Sequence, residues 1–178
     1  MFANFVQDLT EQGRSANTIR AYSLDWQHFT RWYEQVNHES LALDRLTALD
    51  VQDYVNWSKR EGYKPGTINR RLGLIKHVIA WAEDRELVST ELRRRVKRIG
   101  IVKKQKLGPK SLEPVAIRKL LRELERTGTA RDRAIVYLLL YTGLRVGELV
   151  KLRPADVELT SRKGTVTVAA TNAKGGKE

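Results

Sequence analysis

The residues of this 178-residue chain whose types and spacing could do chemistry are cations. The sharpest is Arg145, inside YTGLRVGEL at 141–149. It follows an apolar run over 134–141 and opens a short polar helix, with Glu148 one turn further on. A second motif, NAKGGKE at 172–178, sets Lys174 and Lys177 among glycines. A third stretch, RRRVKRIGIVKKQKLGPK at 93–110, has nine basic residues of eighteen and no acidic one. So charged a segment repels itself unless it lies on a polyanion. The whole chain carries 33 Lys+Arg against 21 Asp+Glu, a net charge of +12, which favours a nucleic-acid partner. A basic surface that only keeps the protein soluble is the alternative reading of the total. The concentration of charge in 93–110 argues against it.

Other chemistries find no residues. Without cysteine there is no disulfide framework and no thiolate metal site, and the three histidines are far apart in sequence. The glycine–lysine turn lacks the first glycine and the Ser/Thr of a nucleotide-binding loop. No serine has a histidine partner that sequence identifies. Neither metal nor cofactor is expected. No run of about 18 apolar residues marks a membrane span. Asp8 and Glu11 interrupt any secretory h-region. A cytoplasmic, nucleoid-associated protein is the expectation.

The elements that must position these cations are mostly helical. Phe2, Phe5, Val6 and Leu9 have the spacing of an amphipathic helix over 2–11, ended by Gly13. Ser15 or Asn17 caps a second helix to about 36, with Ile19, Tyr22, Trp26, Phe29 and Tyr33 on one face and Arg20 and Arg31 off it. Thr47 and Asp50 form a capping box for a third helix that turns Val51, Tyr54 and Val55 inward and ends at Gly62 and the Lys64-Pro-Gly turn. A fourth, from about 67 to 84, buries Ile68, Leu72, Ile75, Ile79 and Ala82. Its other face carries Asn69, Arg70, Gly73, Lys76 and His77. That face reads either as ordinary solvated surface or as a DNA-facing one, where Gly73 admits another backbone. The expectation is thus a four-helix domain over 1–92, a basic linker over 93–110 and a second domain over 111–178. In the second domain a helix starts at Ser111, and the helix over 131–142, apolar all round at 134–141, should be buried. Gly143 ends it, a short helix follows over 145–151, residues 164–171 alternate as a strand, and 172–177 form a hairpin turn. A buried helix and a lone strand need partners, so the second domain reads as incomplete.

LLYTGLRVGEL, a strand and AKGGKE, in that order, resemble the opening of a tyrosine recombinase catalytic domain, as in phage integrases and Xer-type recombinases. SANTIRAYSLDWQHFTRWYE and GTINRRLGLIKHVIAWAEDREL resemble two long helices of that family's core-binding domain, and KKQKLGPKSLEP resembles the linker between. The resemblance covers all 178 residues. It implies a mainly α chain: a four-helix SAM-like core-binding domain, then a truncated α+β catalytic domain.

Members of that family cut one DNA strand with a tyrosine, hold a 3′-phosphotyrosine, and let a 5′-hydroxyl attack it. The ester conserves the bond energy, so neither ATP nor metal is required. Fixed cations must meet the charge on the phosphorane, and arginine suits this with its planar fork. On the resemblance Arg145 is the first catalytic arginine, aided by its place at a helix start, and Glu148 orients it or its helix. Lys174, with Lys177 as the alternative, is the general acid on the leaving 5′-oxygen. Arg20, Arg31, Lys64, Asn69, Arg70, Lys76, His77, Lys103, Lys104, Lys106 and Lys110 would contact DNA. The partner implied is a double-stranded recombination site gripped by both domains, with a homotetramer at full length and no membrane. The family's His-x-x-Arg box, later His or Trp, and nucleophilic tyrosine find no match in 178 residues. Tyr22, Tyr33 and Tyr54 fit core faces, Tyr63 a turn, and Tyr137 and Tyr141 the buried helix. The chain is therefore expected to bind DNA without cleaving it. A non-catalytic regulator competing for recombination sites is the alternative, and a helical protein-interaction module is a third class.

Overall fold

The computed structural model describes residues 1–103, 108 and 111–169. The chain divides into two compact units, Met1–Leu107 and Gly108–Glu178.

The first unit is helical: α1 Phe2–Glu11, α2 Ala16–Asn37, α3 Ala48–Arg60, α4 Pro65–Glu83 and α5 Thr90–Arg98. Ser15 caps α2 by accepting from the Thr18 N–H at 3.3 Å, and His38 closes it in the left-handed region. Thr47 and Asp50 make the reciprocal capping box at the head of α3. Gly62, at φ +75°, turns the chain out of α3. Pro65 does not break the next helix. It opens it, since proline at the first helical position gives up an N–H that has no intrahelical partner there.

At the centre is α4, packed against α1, α2, α3 and α5. Its expected stripe is buried, and so are Leu74, Val78 and Trp81, because neighbours cover more than one of its faces. Aromatic rings from α1, α2 and α3 fill the space around it. Phe2 stacks on Trp26 at 5.0 Å, and Phe29 meets Tyr54 edge-on at 5.0 Å. The Trp81 indole N–H donates to Asp8 at 2.6 Å and ties α4 to α1.

A fifth helix stands where a linker was expected. Leu92, Val96 and Ile99 recur at i, i+4 and i+7 and are all buried in the first unit's core. Ser89 caps the helix, and α5 packs on α3 and α4. Residues 93–98 therefore belong to a packed helix. Their charges are spread over its outer side, which hides the apolar stripe from a reading by charge density.

The second unit carries α6 Pro114–Thr127, α7 Ala130–Thr142, α8 Val146–Leu149, a 3-10 turn Pro154–Asp156, and strands β1 Val157–Leu159 and β2 Gly164–Val166. Thr129 and Asp132 form a capping box for α7, and Gly143 ends it at φ +70°. The expected burial of α7 is not found: no residue of it is buried, and Tyr141 is 71% exposed. Its main neighbours among the described residues are α6 and α8, too few to enclose a helix that is apolar all round. The expected lone strand is instead half of an antiparallel pair, Val157 opposite Val166 and Leu159 opposite Gly164. The turn between them is closed by Thr160, whose hydroxyl donates to the Lys163 carbonyl at 2.8 Å. Strand structure ends at Val166 among the described residues, short of the expected 171. The expected hairpin at 172–177 lies outside the described residues.

Candidate nucleic-acid interface and phosphate-binding arginine

Arg145 stands between the left-handed Gly143 and the single turn of α8. The Glu148 carboxylate holds it at two points. One oxygen accepts from the Arg145 main-chain N–H at 2.8 Å, the other from a guanidinium nitrogen at 2.8 Å. Glu148 is 7% exposed, whereas the Arg145 side chain is 66% exposed. One edge of the guanidinium is thus fixed to a buried anion while the rest of its fork is open to solvent. Four residues of helix carry little macrodipole, so the ordering comes from Glu148 rather than from α8. A planar cation held this way is pre-set to receive two oxygens of a phosphate.

On the first unit, Arg20 and Arg31 on α2 and Lys64 ahead of α4 are exposed. The polar residues of α4 are more occupied than their spacing suggested. Arg70 is half-exposed and paired with Asp25 of α2. Asn69 bonds the main chain of Val102, and Lys76 donates to the carbonyls of Lys97 and Ile99. His77 packs edge-on against Phe5 at 5.2 Å and Tyr22 at 6.2 Å, and burial lowers its pKa. Between these groups Gly73 stays open: a Cβ built there meets nothing within 4 Å. Lys103 is exposed. Lys104, Lys106, Lys110, Lys174 and Lys177 lie outside the described residues. Arg145 with Glu148, and Arg70 with Asp25, are the groups the fold brings together.

Asp25 and Arg71 went unseen in the sequence. Asp25 is 4% exposed on the inner side of α2, and the Arg71 side chain, 12% exposed, approaches it at 3.6 Å. Arg71 also lies over the Tyr63 ring at 4.5 Å. Beside them the His28 ring nitrogens meet the hydroxyls of Tyr54 at 2.8 Å and Tyr63 at 3.0 Å. An aspartate directly before the core residue Trp26 was the available signal, since a carboxylate is buried only against a cation or donors.

Comparison with known proteins gives one consistent result. The family described as "Phage integrase, N-terminal SAM-like domain" matches residues 2–86, and "Phage integrase family" matches residues 110–178. Tyrosine recombinase XerD of Ralstonia nicotianae is 31% identical over 170 residues, 94% of this chain and 52% of the relative. Tyrosine recombinase XerC of Roseiflexus castenholzii is 32% identical over 152 residues, 84% of this chain and 47% of the relative. The chain spans about half the length of the curated relatives it matches. Among solved structures, the Tn1549 transposon integrase in complex with circular intermediate DNA has the same fold over 88% of this chain and 50% of its own. The TM-score is 0.61 at 21% identity.

Proposed function

The chain belongs to the phage integrase family of tyrosine recombinases, and from that premise we propose that it serves site-specific breakage and rejoining of duplex DNA. The observation that carries the reading is the Glu148-held guanidinium of Arg145, open to solvent on its remaining edge. In this role Arg145 grips the non-bridging oxygens of the scissile phosphate and offsets charge as the phosphorane forms. Glu148 keeps the fork aimed before substrate arrives, so no reorganisation is needed in the transition state. Lys174 protonates the departing 5′-oxygen, with Lys177, three residues further along the sequence, as the alternative. The first unit supplies affinity through Arg20, Arg31, Lys64, Arg70 and Lys103, and the open surface at Gly73 admits the sugar–phosphate backbone.

The 178-residue chain is assigned the binding half of this work and not the cleavage. Tyr33 and Tyr54 are buried, Tyr63 bonds His28, Tyr22 packs on His77 and Tyr137 donates to Glu125. Tyr141 is the exception, since its exposure removes burial as a reason to exclude it as nucleophile.

The test is a covalent trap: nicked candidate-site DNA, the chain, and longer gene products that contain it, resolved on a denaturing gel. The expected result is binding by the chain without an adduct, and an adduct from a longer product that Arg145→Ala abolishes. An adduct formed by the 178-residue chain and lost in Tyr141→Phe would overturn the non-cleaving assignment. Binding by every version with no adduct from any would replace the recombinase reading with that of a regulator occupying recombination sites.

A further inference from the structure

Asn69 spends both ends of its amide on one residue: Nδ2 donates to the Val102 carbonyl at 2.9 Å, and Oδ1 accepts from the Val102 N–H at 2.8 Å. Two turns along α4, Lys76 Nζ donates to the carbonyls of Ile99 at 2.7 Å and Lys97 at 3.1 Å. Those carbonyls lie at the end of α5, where helical carbonyls lack intrahelical donors. Ile99 is buried and Val102 packs against the core, so apolar contact and polar bonds fix the same stretch. Lys97, Arg98 and Lys103 remain exposed on it.

We propose that Asn69 and Lys76 are positioning residues that clasp 97–102 onto α4 and so hold Lys97, Arg98 and Lys103 as a fixed cationic row for a nucleic-acid backbone. The row rests on the DNA-binding reading above; the clasp does not. Three cations on a loose segment lose conformational freedom when they meet phosphates, and a segment already fixed by its own fold avoids most of that loss. The two side chains act through the residues they hold, and their polar atoms are engaged within the protein.

The chain has no cysteine, so Ile101→Cys carrying a nitroxide provides a single reporter on an exposed residue beside the clasp. Its spectrum in the free protein is expected to show slow, restricted motion. Asn69→Ala and Lys76→Met should each release the label into fast motion and weaken duplex binding about fivefold, with the far-UV spectrum and cooperative melting retained. Asn69→Asp keeps the acceptor for the Val102 N–H and should fall between. Weaker binding with the label still restricted would make Asn69 a direct DNA contact and overturn the clasp. A freed label with unchanged affinity would overturn the positioning role. If the unsubstituted chain bound no DNA, the functional reading and the cationic row would fall together, and the label would still decide the clasp.

Discussion

The Arg145–Glu148 pair joins a buried anion to an exposed cation, and its value lies in direction. An arginine this exposed gains little stability from an ion pair. Its main-chain N–H and its fork are instead aligned on one carboxylate. Glu148→Gln keeps the size and one acceptor oxygen but loses the charge. In a cleavage-competent protein containing this chain, it should lower the strand-cleavage rate about 10- to 100-fold with duplex affinity unchanged. Single-turnover cleavage measured beside a binding titration checks this, and a matching loss of affinity would show a structural role only. His28 gives a second residue-scale prediction. Burial first, and then the Arg71 guanidinium, hold its pKa below the usual 6.5, against a smaller opposing effect of Asp25. Its ring is gripped between Tyr54 and Tyr63, with Trp57 alongside. A base with a lowered folded-state pKa takes up protons more readily when unfolded. Its contribution to stability is therefore present above about pH 6.5 and is lost as pH falls below that value. The melting temperature should drop between about pH 7.5 and about pH 5.5, and His28→Gln should reduce that slope. His77, lowered by burial and by Arg14, works in the same direction, so a residual slope should remain in the single variant.

At the scale of elements, α5 decides where the first unit ends. Leu92 and Val96 are buried beneath a helix otherwise made of charge. Val96→Ala, inside the stretch expected as linker, should cost the first unit about 1–3 kcal/mol in urea unfolding, where a free linker would register almost nothing. Amide exchange should show residues 94–98 protected to nearly the same degree as α4. The same helix shows what was legible in the sequence. Helices α1 to α4 were readable because their apolar residues recur at helical spacing, and Ser15 and Thr47 also mark the starts of α2 and α3; Pro65, expected in the turn that ends α3, opens α4 instead. In α5 the stripe is three residues wide under five cations, and charge density concealed it. The error on α7 was of another kind. Its composition predicts burial, but burial is a property of neighbours, and α6 and α8 leave part of its surface open. The site divides along similar lines. Arg145 and Glu148 could be read because one helical turn connects them. Asn69 with Val102, and Asp25 with Arg70, are joined across 33 and 45 residues, and no local pattern announces such pairs.

For the molecule as a whole, the question is what a net charge of +12 does. A merely solubilising excess would be scattered and would leave binding weakly dependent on salt. Here nine of the 33 basic residues fall within 93–110 with no acidic one among them, where Lys97, Arg98 and Lys103 are exposed and Lys104 and Lys106 follow in sequence. Each phosphate neutralised releases counterions from the duplex, so log K falls against log salt with a slope near −0.9 per contact. Replacing Lys103, Lys104 and Lys106 together by Gln should make the slope shallower by up to about 2.7 if all three meet phosphates. It should do so equally on cognate and unrelated duplexes, because phosphate contacts carry no sequence information. An unchanged slope would remove these lysines from the interface. A flattened slope with a lost preference for one duplex would show that the segment also reads sequence, either through base edges or through the shape of the groove.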